Sequence, residues 1–199
     1  MRPTKILSDE HRVIEVALDC LELITEQALI DSKLNRTDAE DALEFLRLFA
    51  DTCHHGKEEK QLFTAMADRG MSQEDGPIHC MLVEHDRGRE YVRGMRQSLE
   101  RASEGDSQAL EQFTKNARGY IQLLHDHISK EDNVLFPMAD DLLSNADQEE
   151  LVDRFAEVEK ELVGGDDPAR IMTIIERLAK KLGVSTDPIH QATAACGHH

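Results

Sequence analysis

The chain has 199 residues, 40% hydrophobic and 32% charged, enough for one well-cored domain and an appendage. Its net charge of −17 argues against nucleic acid and anionic membranes as partners, because phosphate binding needs clustered Lys and Arg. No apolar run reaches the roughly 18 residues that span a bilayer, and the first residues lead into an amphipathic stretch, so a cytoplasmic location is expected. Four cysteines (Cys20, Cys53, Cys80, Cys196) stand without a CxxC pair, which fits reduced thiols better than a disulfide or zinc framework.

The pattern is helical throughout, with no strand alternation. The first helix is expected from about Thr4 to Ile30, with Leu7, His11, Ile14, Leu18 and Leu21 on one stripe. A polar break follows, and Thr37-Asp38-Ala39-Glu40 reads as the capping box of the second helix. Its stripe runs Leu43, Leu46, Ala50, His54, Glu58, Leu62. Gly70 to Pro77 connects to a third helix carrying Ile78, Met81, His85, Gly88, Val92, Met95 and Leu99. After Gly105-Asp106 a fourth carries Tyr120, Leu124, His127, Glu131, Leu135 and Met138, and Pro137 is expected to kink or end it. These elements predict an all-α, up-down-up-down four-helix bundle over residues 1–143. Two shorter helices, opening at Asp147 and at Asp167-Pro168, predict a helical hairpin over 144–183 that packs on the bundle or on a second copy in a homodimer. Residues 184–199 read as a mobile tail whose Cys196-Gly197-His198-His199 end could bind a soft metal.

Two stretches repeat. His54-His55-Gly56-Lys57-Glu58 is echoed by His127-Ile128-Ser129-Lys130-Glu131, each with a Leu-Phe pair beyond and a Glu-His upstream, Glu10-His11 and Glu84-His85. The intervals nearly match: 54 − 11 is 43 and 127 − 85 is 42. On a helix, residues four apart share a face, so each His-x-x-x-Glu can grip one metal centre. Both pairs fall in core positions. Buried ionisable groups each cost several kcal/mol without a partner, and a metal pair would satisfy all of them together. In the bundle, His11 and His54 lie roughly 20 residues either side of the turn between the first two helices, and His85 and His127 roughly 20 either side of the turn between the last two, some 30 Å at about 1.5 Å per residue, and so at one level.

These residues, in this order over Ser8 to Asp141, resemble the hemerythrin-like (HHE cation-binding) family. The resemblance implies two iron ions with a bridging oxo or hydroxo group, held by His11, His54, Glu58, His85, His127 and Glu131, with Glu58 and Glu131 bridging. It also implies a free position for a small molecule such as O2, NO or peroxide. The chain departs from oxygen-carrying hemerythrin at Met81, where a further His is expected one turn before His85. Gly88 could leave room for a diatomic ligand or serve helix packing. His55 is expected to point partly away from His54, behind the ligands or at the surface, Glu15 to support a ligand, and His125 to face solvent.

The leading reading is therefore a non-haem diiron protein that binds O2, NO or peroxide for sensing, scavenging or iron handling. The alternative is a diiron enzyme for peroxide or NO turnover or for repair of iron–sulfur centres. A ferritin-like oxygenase would use the opposite order, Glu-x-x-His, and no His here has a Glu three residues before it.

Overall fold

The computed structural model describes residues 2–162 and 168–196, and these are helical apart from short connections. Helix α1, Pro3–Asp31, begins with proline in its first turn and ends where Ser32 turns left-handed at φ 54°. Helix α2, Arg36–Phe45, starts earlier than Thr37 because Asn35 is the cap: its side-chain oxygen accepts from the Asp38 N–H at 3.2 Å. The chain continues from α2 without a break through two π-helical stretches, π1 (Leu46–His55) and π2 (Glu58–Leu62), into α3, Phe63–Asp68. Helix α4 spans Gly76–Ser103, and α5 spans Ser107–Lys130 with Asp106 as its cap. A third π-turn, π3 (Glu131–Leu135), joins α5 to α6, Phe136–Leu142.

Pro137 does not end this helix, the second of the two effects the sequence allowed. It follows directly on π3, where the backbone bonds reach one residue further back than in an α-helix. The missing N–H thus falls at a place where the α ladder is already interrupted, and the helix runs on to Leu142.

Helix α7, Asn145–Leu162, opens before Asp147, because Ser144 and Asp147 cap each other: the Ser144 N–H donates to Asp147 Oδ2 at 2.8 Å and the Asp147 N–H to Ser144 Oγ at 3.3 Å. Helix α8 spans Pro168–Leu182. Both pack on the preceding helices of the same chain, α7 on α1, π1 and π2, and α8 on α1 and α2. The expected tail is corrected in part. Asp187–Cys196 forms a helix, α9, laid against α1 with Ile189 and Ala192 buried. Residues 197–199, the end of the proposed soft-metal tail, lie outside the described residues.

The buried apolar side chains form two clusters. One gathers Ile14, Leu18, Leu21, Leu43, Phe45, Leu46, Phe113 and Ile175. The other gathers Leu7, Leu62, Phe63, Met66, Ile78, Met81, Leu135, Phe136 and Phe155. Each fully buried Leu or Phe contributes about 1.5–3 kcal/mol. Along the helices the two clusters flank the same residues: His11 comes between Leu7 and Ile14, His54 and Glu58 between Ala50 and Leu62. His127 and Glu131 come between Leu124 and Leu135. A polar layer therefore divides the apolar core. No helix among the described residues is long and apolar enough to cross a membrane.

Candidate metal centre

The polar layer is built from the segments that precede α7. Helix α1 supplies His11, π1 supplies His54, π2 supplies Glu58, α4 supplies His85, α5 supplies His127 and π3 supplies Glu131. All six are buried. Their donor atoms converge in two groups that could each hold a metal ion. His11, His54, Glu58 and Glu131 form one, and His55, Glu58, His85 and His127 the other; within each group the atoms lie within 4.8 Å of one another. Glu58 belongs to both, with Oε1 3.4 Å from His54 Nε2 and Oε2 3.5 Å from His85 Nε2. Glu131 Oε2 stands 3.2 Å from His11 Nε2 and 3.3 Å from His127 Nε2.

His55 departs from the sequence expectation. It is buried among the other imidazoles, its ring stacked on that of His85 at 3.8 Å. The cause is the π-helical backbone. In a regular α-helix adjacent residues diverge by about 100°. The wider turn of π1 lets two consecutive side chains enter the same interior, and the Thr52 hydroxyl donating to the Arg47 carbonyl five residues back, at 2.8 Å, marks that wider turn. Met81 is a packing residue of the second apolar cluster. His125 and His79 are exposed, and neither Cys53 nor Cys80 joins a metal-capable group.

Behind the histidines stands a ring of carboxylates that sequence reasoning missed. The Nδ1 atoms of His11, His54, His85 and His127 face Asp132, Glu10, Glu59 and Glu84 at 2.9, 2.9, 2.8 and 2.9 Å. Donation from Nδ1–H to a carboxylate leaves the Nε2 lone pair pointing inward, the tautomer a metal ligand needs. Each carboxylate is held in turn by a cation: Arg12 on Asp132, Lys57 on Glu10, Arg89 on Glu59, Lys130 on Glu84. Lys57 is wholly buried and lies over the Phe155 ring at 5.9 Å. The signal was in the repeat: both copies carry Glu before the single His, an acid after the His-x-x-x-Glu, and Lys three residues after its His. Glu15, the expected support, instead pairs with Arg12 at 2.9 Å.

The electrostatics of the layer are those of a site built for cations. Burial opposes a charge on His11, yet Asp132 and Glu131 outweigh it and raise the imidazole to about 9. Burial and the neighbouring imidazoles hold His54 and His85 well below the usual histidine range. Burial and the charge of Glu131 push Glu58 well above the carboxylate range, while Glu131, against its own burial, is drawn down to about 2 by His127 and His11. Among the described residues, seven buried side-chain atoms make no hydrogen bond: His11 Nε2, both ring nitrogens of His55, and both oxygens of Glu58 and of Glu131. All belong to this layer. His85 Nε2 and His127 Nε2 face each other at 3.1 Å, and with both Nδ1 protons turned to carboxylates this juxtaposes two lone pairs. Cations bound here would give one nitrogen of each of these imidazoles and the Glu58 and Glu131 oxygens a partner, so the donor set fits a dinuclear metal group.

A partly open cavity of about 70 Å³ reaches the layer from outside, lined by Asp51, His55, Gly88, Arg89, Val92 and Tyr120 among others. A Cβ placed on Gly88 would meet Tyr120 at 3.5 Å, an ordinary contact, so helix packing does not demand the glycine.

The sequence profile described as the hemerythrin HHE cation binding domain matches residues 2–139. Uncharacterized proteins of Mycobacterium bovis and of two Mycobacterium tuberculosis strains are each 22% identical over 147 residues, covering 72% of this chain and 56% of their own length. The chain thus spans just over half the length of these relatives. No solved structure matches it.

Proposed function

Because the chain belongs to the hemerythrin HHE cation-binding domain family, we propose that its buried His/Glu layer holds two iron ions, joined by a bridging oxo or hydroxo group, and that the loaded protein binds a small diatomic or peroxide ligand. In this reading the long segments of residues 1–143 form the family's four-helix bundle, and α7 and α8 are an appended hairpin that covers it. His11 and His54 hold one iron, His85 and His127 the other, and Glu58 and Glu131 link them. The observation that carries the proposal is the set of orphaned buried atoms, all on residues of the two groups that could each hold a metal ion.

The iron pair would supply redox chemistry and open coordination positions. The chain's own residues do the rest. The carboxylates behind the imidazoles fix their Nε2 atoms inward. Phe136, stacked on His11 at 5.3 Å, and the two apolar clusters exclude bulk water. The cavity beside Gly88, about 70 Å³, has room for a molecule of a few atoms beside His55. A site of several neutral imidazoles and two bridging carboxylates gives the metals less negative charge than a carboxylate-rich one, which favours reversible ligand binding.

The test is anaerobic iron reconstitution followed by titration with azide or nitric oxide. Two irons per chain and a saturable change in the visible spectrum are expected. A plateau at one iron or none, or no spectral response to either ligand, would sink the reading.

A further inference from the structure

We propose that His55 is a seventh protein ligand: a fifth imidazole, which makes the two metal positions unequal. The inference rests on the dinuclear reading and extends it. His55 follows the pattern of the other four histidines. Its Nδ1 faces a carboxylate, Asp51 Oδ1, at 3.5 Å, and its ring is buried in the layer. Its donor atom lies within 4.8 Å of those of Glu58, His85 and His127. Neither ring nitrogen makes a hydrogen bond. A buried imidazole with no hydrogen-bond partner is costly, and a metal at the His85/His127 position would give one of its nitrogens a partner.

The support behind this ring is also built. Arg89 Nε donates to Asp51 at 2.8 Å, and Arg89 Nη2 to Glu59 at 2.6 Å, so one guanidinium ties together the carboxylates behind His55 and His85. The position that Met81 leaves without a donor on α4 is thus met from π1. One metal would have two imidazoles, from α1 and π1, and the other three, from π1, α4 and α5. With Glu58 and Glu131 shared, the two-imidazole metal would have one protein ligand fewer than the other.

A competing role is mechanical: His55 stacks on His85 with only 15° between the rings and could simply hold it in place. Substitution by phenylalanine separates the two, because it keeps the stacking and removes the donor. Metal-free wild type, His55→Phe and His55→Ala would be titrated anaerobically with ferrous iron against a chelator. Wild type should take two irons. Both variants should keep one tight site and lose affinity at the second by at least about tenfold. Wild-type behaviour of His55→Phe, with only His55→Ala impaired, would assign the stacking role and overturn the proposal, as would two unimpaired variants. A wild-type plateau below two irons would instead overturn the dinuclear reading.

A measurement on wild type alone keeps the question open to refutation if His55→Phe does not fold. In the cobalt(II)-loaded protein, each ligating imidazole gives a hyperfine-shifted, exchangeable Nδ1–H proton resonance. Five such signals are expected, and four would overturn the proposal.

Discussion

The residues that decide the chemistry here are as much those behind the histidines as the histidines themselves. Glu84 accepts from His127 Nδ1–H and is held by Lys130; burial alone would raise its pKa, but these two partners draw it down to about 2. It is therefore ionised at any pH at which the protein works, and its charge raises the basicity of the imidazole it supports. Glu84→Gln keeps the shape and removes the charge. It should weaken iron binding by about 10–100-fold in chelator competition while leaving the fold intact. Glu40→Gln, an exposed residue of α2 paired with Arg36, should leave affinity unchanged. Equal effects from the two substitutions would mean that overall negative charge, and not the carboxylate–imidazole contact, supports the site.

At the scale of elements, apolar burial and ion pairs can be set against each other where α8 docks on α1 and α2. Arg170–Glu44, Arg177–Asp41 and Lys181–Asp38 bridge α8 to α2, each at 2.6 Å, with their cationic partners half-exposed. Ile175, Leu178 and Ala179 are wholly or almost wholly buried beneath them. Exposed ion pairs contribute about 0–1 kcal/mol, whereas truncating a buried Ile to Ala costs about 2–5. Urea denaturation should therefore show Ile175→Ala as strongly destabilising and Arg177→Ala as nearly neutral; the reverse order would mean that charge holds α8 in place. The helices themselves were legible in the sequence because α-periodicity is a property of local spacing. The first was expected over Thr4 to Ile30 and runs Pro3–Asp31. What was not legible is the π-turn, which changes the period without changing the composition. It sent His55 to the wrong face and gave Pro137 too much power to stop a helix. The six expected ligand candidates were legible because the repeat states them twice. The supporting carboxylates were written in the same repeat, but their contacts run between helices. Glu10 reaches His54 and Glu84 reaches His127, a crossing that spacing along one helix does not reveal.

For the whole molecule, the dinuclear proposal makes the polar layer couple metal loading to stability. Without metal, Glu58 is a fully buried carboxyl that burial and Glu131 push well above the usual range, with neither oxygen hydrogen-bonded. It disfavours the folded metal-free state, and a near-isosteric apolar side chain in its place removes that cost. Glu58→Met should then raise the melting temperature of the metal-free protein. In wild type, free iron at about a hundred times Kd adds about 2.7 kcal/mol per site. At about 2–4 °C per kcal/mol for a domain of this size, one site alone lifts Tm by roughly 5–10 °C. Glu58→Met should lose this rise at both positions together, because Glu58 faces both metal groups and neither keeps its bridging oxygen. The substitution thus has opposite signs in the two states: more stable without iron, and not stabilised by it. Differential scanning calorimetry of both proteins, metal-free and iron-loaded under anaerobic conditions, reads all four values. If Glu58→Met keeps half of the wild-type rise, the two positions are independent and the shared carboxylate does not link them. If the metal-free variant melts well below metal-free wild type, Glu58 is a packing residue of the folded state and the polar layer is not kept at a cost to stability.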